Sequence, residues 1–126
     1  MPKLNPSEHR HIVEMIRRLL NDSNFNVVLN SLKVAGCLSR GLRKHFSHSA
    51  KILFPQILAK MKEKKSQMIE ETFQTLNDFY YSISIEDVIE DLKYGLKDKA
   101  PNMRSNILLW IGKFIEKKVE DKGELS

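Results

Sequence analysis

At 126 residues, 41% apolar and 29% charged, the chain has the size and balance of one small globular domain. Five Gly and four Pro leave little room for a turn-rich β fold, no stretch approaches the ~18 apolar residues of a membrane span, and Met1-Pro2-Lys3-Leu4 lacks the apolar core of a secretory signal. The net charge of +5 lies mainly in the first third: residues 1–45 hold 8 Lys and Arg against 3 Asp and Glu, and residues 84–126 hold 8 against 9. A basic bias favours an acidic partner, whether nucleic acid, membrane or protein. The single Cys37 excludes an internal disulfide framework and fits a reducing compartment, so the expected location is cytoplasmic.

In chain order, Asn5-Pro6-Ser7-Glu8 reads as a helix start, with Asn as N-cap and Pro at the first helical position. Ile12, Val13, Ile16, Leu19 and Leu20 then form one apolar stripe. Asp22, Ser23, Asn24 and Asn26 supply a turn, and Val27, Val28, Leu32, Ala35, Leu38 and Leu42 mark a second helix, in which Gly36 and Gly41 allow close approach of a neighbour. A third helix begins near Ser47 or Ser49, carries Ile52, Leu53, Ile57, Leu58 and Met61, and contains Pro55, which predicts a kink. After Lys62–Ser66 comes a fourth helix with Met68, Ile69, Phe73, Leu76, Phe79 and Tyr80. Ser84 with Asp87 marks the next start, followed by Ile85, Val88, Ile89, Leu92 and Leu96. Pro101 opens the last helix, with Met103, Ile107, Leu108, Ile111, Phe114 and Ile115 predicted inward.

Three turns share one grammar: an apolar helix end, a tight polar turn, a new apolar helix. Val27, Met68 and Met103 occupy equivalent positions, separated by about 41 and about 35 residues, the period of HEAT-type helix pairs. The predicted fold is all-α, an α-solenoid of about six antiparallel helices. Residues 5–118 form three repeats (5–45, 46–83, 84–118), and 119–126 form a frayed, charged tail. The three turns are expected on one edge. Trp110, Phe114 and Ile115 are expected to face a further repeat, leaving solenoid ends that self-associate weakly.

These residues resemble a known family. Asp22-Ser23-Asn24-Phe25-Asn26-Val27, Gly41-Leu42-Arg43-Lys44-His45-Phe46, Leu58 through Lys65, and Asp98-Lys99-Ala100-Pro101 are similar, in order and spacing, to the D-x-N-x-x-V, G-L-R-x-x-F, L-x-K-x-K-E-K-K and N-K-N-P motifs of TOG domains in the ch-TOG family of microtubule polymerases. The resemblance covers roughly residues 12–118. A full domain of that family carries six repeats, and this chain has the length of three, resembling the middle repeats of a second-position domain. The family's exposed turn tryptophan has no counterpart here, since Trp110 lies in the last helix. The resemblance implies binding of αβ-tubulin through the intra-repeat turns, with Asn24, Asn26, Val27, Lys62, Lys64, Lys65, Lys97 and Lys99 as contacts, and a place in microtubule polymerisation and plus-end dynamics at spindle or centrosome. The alternative is a HEAT scaffold for another protein or peptide.

Each motif also has a plain structural reading. Asn24 and Asn26 can cap the second helix, the lysines can stabilise helix C-termini, and Arg40, Arg43 and Lys44 fit a helix end better than a phosphate patch. His9 and His11 diverge on a helix, His45 and His48 straddle a helix boundary, and Cys37 is expected to be buried beside Leu38, so no metal or cofactor is expected. No catalytic constellation is legible, and the chain reads as a binding module rather than an enzyme. Nucleic acid is not favoured, because the third repeat is net negative and Phe79, Tyr80 and Tyr81 fall on core spacing.

Overall fold

The computed structural model of the protein describes residues 6–122, and these contain helices and no strand. The α-helices are α1 (Pro6–Leu19), α2 (Phe25–Leu42), α3 (Ser47–Leu58), α4 (Ser66–Asp78), α5 (Ile89–Gly95) and α6 (Pro101–Lys122). Short 3-10 segments at Arg43–Phe46, Ala59–Lys62, Phe79–Tyr81 and Glu86–Val88 join them. The proposed N-cap Asn5 lies outside the described residues.

The packing is that of a solenoid. Sequential helices pair as α1 with α2, α3 with α4 and α5 with α6. Odd-numbered helices form one row, α1 on α3 on α5, and even-numbered helices the other, α2 on α4 on α6. Between the rows lies one continuous core, in which Leu20, Leu32, Leu53, Phe54, Ile57, Met61, Leu76 and Ile107 are fully buried. No helix among the described residues is long and apolar enough to cross a membrane.

The most extensive contact joins α2 to α4, and it has a polar centre. A Cβ at Gly36 would stand 2.5 Å from Asp78 Oδ2, so only glycine lets α4 come this close. Arg40 pairs with that carboxylate. Burial pushes the Asp78 carboxyl above the usual range, with the Arg40 guanidinium pulling the other way. Ser39 Oγ donates to Asp78 O at 2.8 Å, Ser82 Oγ to Arg43 O at 2.7 Å, and Thr75 Oγ1 to Leu32 O at 2.9 Å. Arg40 and Arg43 are thus engaged within the fold, whereas Lys44 is exposed. Besides the Arg40 ion pair, the Arg43 guanidinium lies 4.8 Å from the Tyr81 ring centroid.

The third repeat starts as its sequence indicates. Ser84 N–H donates to Asp87 Oδ2 at 3.0 Å and Asp87 N–H to Ser84 Oγ at 3.3 Å, a reciprocal cap.

Three expectations are corrected. Trp110 and Phe114 do not await a further repeat but face inward, with ring centroids 5.7 Å apart for Phe54–Trp110 and 5.0 Å for Tyr80–Phe114. Leu108 turns outward instead and is exposed together with Leu109, Ile115 and Val119. Cys37 is exposed: it stands at the rim of the Gly36–Asp78 contact, where the Arg40 guanidinium donates to its Sγ at 3.2 Å. Residues 119–122 lie in the last turn of α6. Their anchor is Asp121, which accepts a 2.8 Å hydrogen bond from Tyr80 Oη and lies 4.0 Å from Lys117 Nζ one turn earlier.

Candidate protein-binding edge

The three polar turns lie at the points where an odd helix hands over to its even partner. In the first, Asp22 Oδ1 accepts Asn24 N–H at 2.7 Å, and Asn24 Oδ1 accepts Asn26 N–H at 2.9 Å and Val27 N–H at 3.2 Å. Asn24 is the N-cap of α2, satisfying donors that a helix start leaves orphaned. Asn24 and Asn26 are exposed and Val27 is half-buried.

In the second turn, the backbone closes by Glu63 N–H donating to Lys60 O at 3.1 Å. Lys65 occupies the N-cap of α4 without a side-chain cap. Lys62, Lys64 and Lys65 are all exposed. In the third, Asp98 Oδ1 accepts Ala100 N–H at 2.9 Å, Pro101 begins α6, and Lys97 and Lys99 are exposed.

Side chains link these turns into one edge. Lys65 Nζ lies 4.3 Å from the Phe25 ring centroid, joining the second turn to the first. Lys62 Nζ lies 2.7 Å from Asp98 Oδ2, joining the second to the third. Asn102 Nδ2 reinforces that link by donating to Lys62 O at 3.1 Å and Glu63 O at 3.3 Å. The Lys62 hydrogen bond, and then the Ala100 N–H, hold the Asp98 carboxyl below the usual carboxylate range.

The sequence-selected lysines therefore divide in two. Lys62 and Lys65 have partners within the fold. Lys64, Lys97 and Lys99 have no ion-pair partner among the described residues, so their charge is directed at solvent. Sequence reasoning missed Asn102, whose role is visible only across the turns. It also missed Tyr94 at the end of α5, which with Lys62, Lys97, Asp98 and Lys99 lines an open concavity of about 440 Å³. The one available signal was that Tyr94 falls outside the Val88, Leu92, Leu96 stripe.

Away from this edge, His9 stacks on Phe46 with centroids 5.7 Å apart and bonds Ser49 Oγ through Nε2 at 2.8 Å, a packing role. No group of His, Cys, Asp and Glu among the described residues is arranged to hold a metal ion.

Known proteins are similar to this chain in sequence and in fold. No family model matches the chain. The rice protein MOR1 is 38% identical over 116 residues, covering 90% of this chain and 6% of that protein. The Drosophila melanogaster protein mini spindles is 31% identical over 113 residues, covering 89% and 6%. Among solved structures, a chain from the work on microtubule plus end tracking by XMAP215, CLIP-170 and EB1 superimposes with a TM-score of 0.77 at 27% identity, over 91% of this chain and 46% of that one. The chain belongs to the ch-TOG family. As a TOG domain it has a helical solenoid, and three of its four motif-bearing segments fall in the turns of the lysine edge, the fourth, Gly41–Phe46, lying at the α2–α3 junction. It spans about 6% of the length of MOR1 and of mini spindles.

Proposed function

We propose that this TOG domain binds αβ-tubulin through the edge built from its three turns and, as a segment of a microtubule-associated protein, contributes to polymerisation and plus-end dynamics. The supporting observation is the Lys62–Asp98 bridge, which together with Lys65 over Phe25 holds the turns in one row and leaves Lys64, Lys97 and Lys99 facing out. Tubulin's outer surface is acidic, so a basic edge speeds encounter and makes binding sensitive to salt. Asn24, Asn26 and Val27 extend the contact to the first turn, and the three repeats correspond to the middle of a complete domain. Relatives named Centrosomal protein 224, of Dictyostelium discoideum, and Spindle pole body component alp14, of Schizosaccharomyces pombe, support a cytoplasmic site of action on spindle microtubules. The module works by binding rather than by catalysis.

The test is fluorescence anisotropy with free tubulin at low and moderate salt, with circular dichroism as a folding control. Reversing Lys62, Lys64 and Lys65 to Glu together weakens binding by about tenfold or more, since each exposed ionic contact is worth ~0.2–1 kcal/mol and reversal adds repulsion. Lys64→Glu alone is the cleaner variant, because Lys64 has no ion pair among the described residues to lose. Absence of wild-type binding at low salt refutes the reading for this chain.

A further inference from the structure

Tyr94 is 82% exposed, more than any other large hydrophobic residue among those described, the next being Leu108 at 59%. Every other Phe, Tyr and Trp of the chain is buried or half-buried. An aromatic ring left in water is a missed opportunity for burial, and such rings concentrate where partners dock. Its location is specific. Tyr94 stands one turn before the third polar turn and borders the concavity of about 440 Å³ with Lys62, Lys97 and Lys99. The only carboxylate lining that concavity, Asp98, is already engaged by Lys62 at 2.7 Å and by Ala100 N–H at 2.9 Å. Lys97 and Lys99, without ion pairs among the described residues, therefore give the hollow an uncompensated positive character beside a ring and a hydroxyl donor.

We propose that Tyr94, Lys97 and Lys99 form a receiving site for a carboxylate side chain of tubulin, so that the contact extends beyond the turns onto the last turn of α5. The inference rests on the tubulin reading above. The ammonium groups supply charge for an incoming Asp or Glu, and the Tyr94 ring covers the methylene stem of that side chain while its hydroxyl donates to the acid. Docking there buries the ring that is exposed in the free chain, and a buried tyrosine beside a charge-assisted contact is the composition of an interface anchor.

The experiment is an anisotropy titration of the 126-residue chain with free tubulin at low salt, comparing wild type, Tyr94→Ala, Tyr94→Phe and Lys64→Glu. Tyr94→Ala is expected to weaken binding about tenfold, and Tyr94→Phe about threefold, since phenylalanine keeps the ring over the stem and loses only the hydroxyl donor. Thermal melts of both tyrosine variants match the wild type, since so exposed a side chain contributes little to the core. Equal losses in the Phe and Ala variants keep Tyr94 in the contact and assign its share to the hydroxyl. Wild-type affinity in Tyr94→Ala overturns the inference, and if Lys64→Glu still weakens binding, the lysine edge stands without it. A wild type that does not bind overturns both.

Discussion

The Lys62 ammonium lies 2.7 Å from the Asp98 carboxylate, so the second and third turns of the solenoid are fastened by a pair 36 positions apart in sequence. This fastening titrates. The folded-state pKa of Asp98 is lowered below 3.8, its ordinary value, so its stabilisation is fully present above that value and is lost as pH falls through the lower folded one. Thermal melts of wild type and Asp98→Asn at stepped pH are expected to differ near neutrality and converge in strong acid. A gap that persists unchanged at the acid end would show that the bridge is not its source.

The Lys65–Phe25 contact, with Nζ 4.3 Å from the ring centroid, should be measurable as a coupling. A double-mutant cycle with Phe25→Leu and Lys65→Ala is expected to give an interaction of about 0.5–1 kcal/mol in urea unfolding. Strict additivity would remove the link between the first and second turns.

Gly36→Ala tests the α2–α4 approach. Alanine gains helix propensity over glycine by about 1 kcal/mol. Its Cβ, however, meets Asp78 Oδ2 at 2.5 Å, and that carboxylate is held by Arg40 in a buried site. Overpacking of this kind costs about 1–3 kcal/mol, and the expected net result is a lower urea midpoint. An unchanged or raised midpoint would mean that Asp78 yields freely.

Trp110 is the only tryptophan and is fully buried against Phe54 and Phe114, with no hydrogen-bond partner for Nε1 among the described residues. Its fluorescence is expected to be that of a dry indole and to shift to the red on unfolding. Trp110→Ala should cost about 3–5 kcal/mol, as for large aromatic truncations in a core. A native spectrum like that of a solvated indole would contradict the inward orientation.

The outer face of α6 presents Leu108, Ile115 and Val119 to solvent, and Gly112 between them has open space around it. Weak self-association through this stripe is the expected consequence. Sedimentation equilibrium should show a concentration-dependent mass that Leu108→Glu with Ile115→Glu abolishes. A wild type that stays monomeric at high concentration would dismiss it.

The helices and their turns were legible because they are local. Apolar residues at three- and four-residue spacing mark each buried stripe, and Asn24, Ser84 with Asp87, and Pro101 punctuate the starts by chemistry within a few positions. A repeat of helix pairs then requires the like turns to fall on one side, so the edge itself followed from the sequence. What the tertiary structure decided was which side chains on that edge are already engaged. Lys62, Lys64 and Lys65 look equivalent in one basic run, yet one is bound to Asp98, one lies over Phe25 and one faces solvent. Trp110 and Leu108, two residues apart in α6, were both legible as apolar and project from nearly opposite sides of the helix, but only the neighbours that cover one side make the first inward and the second outward. Cys37 and Tyr94 were misjudged or missed for the same reason. Periodicity defines a face of a helix, whereas exposure depends on which neighbours cover that face, and those neighbours come from residues far along the chain.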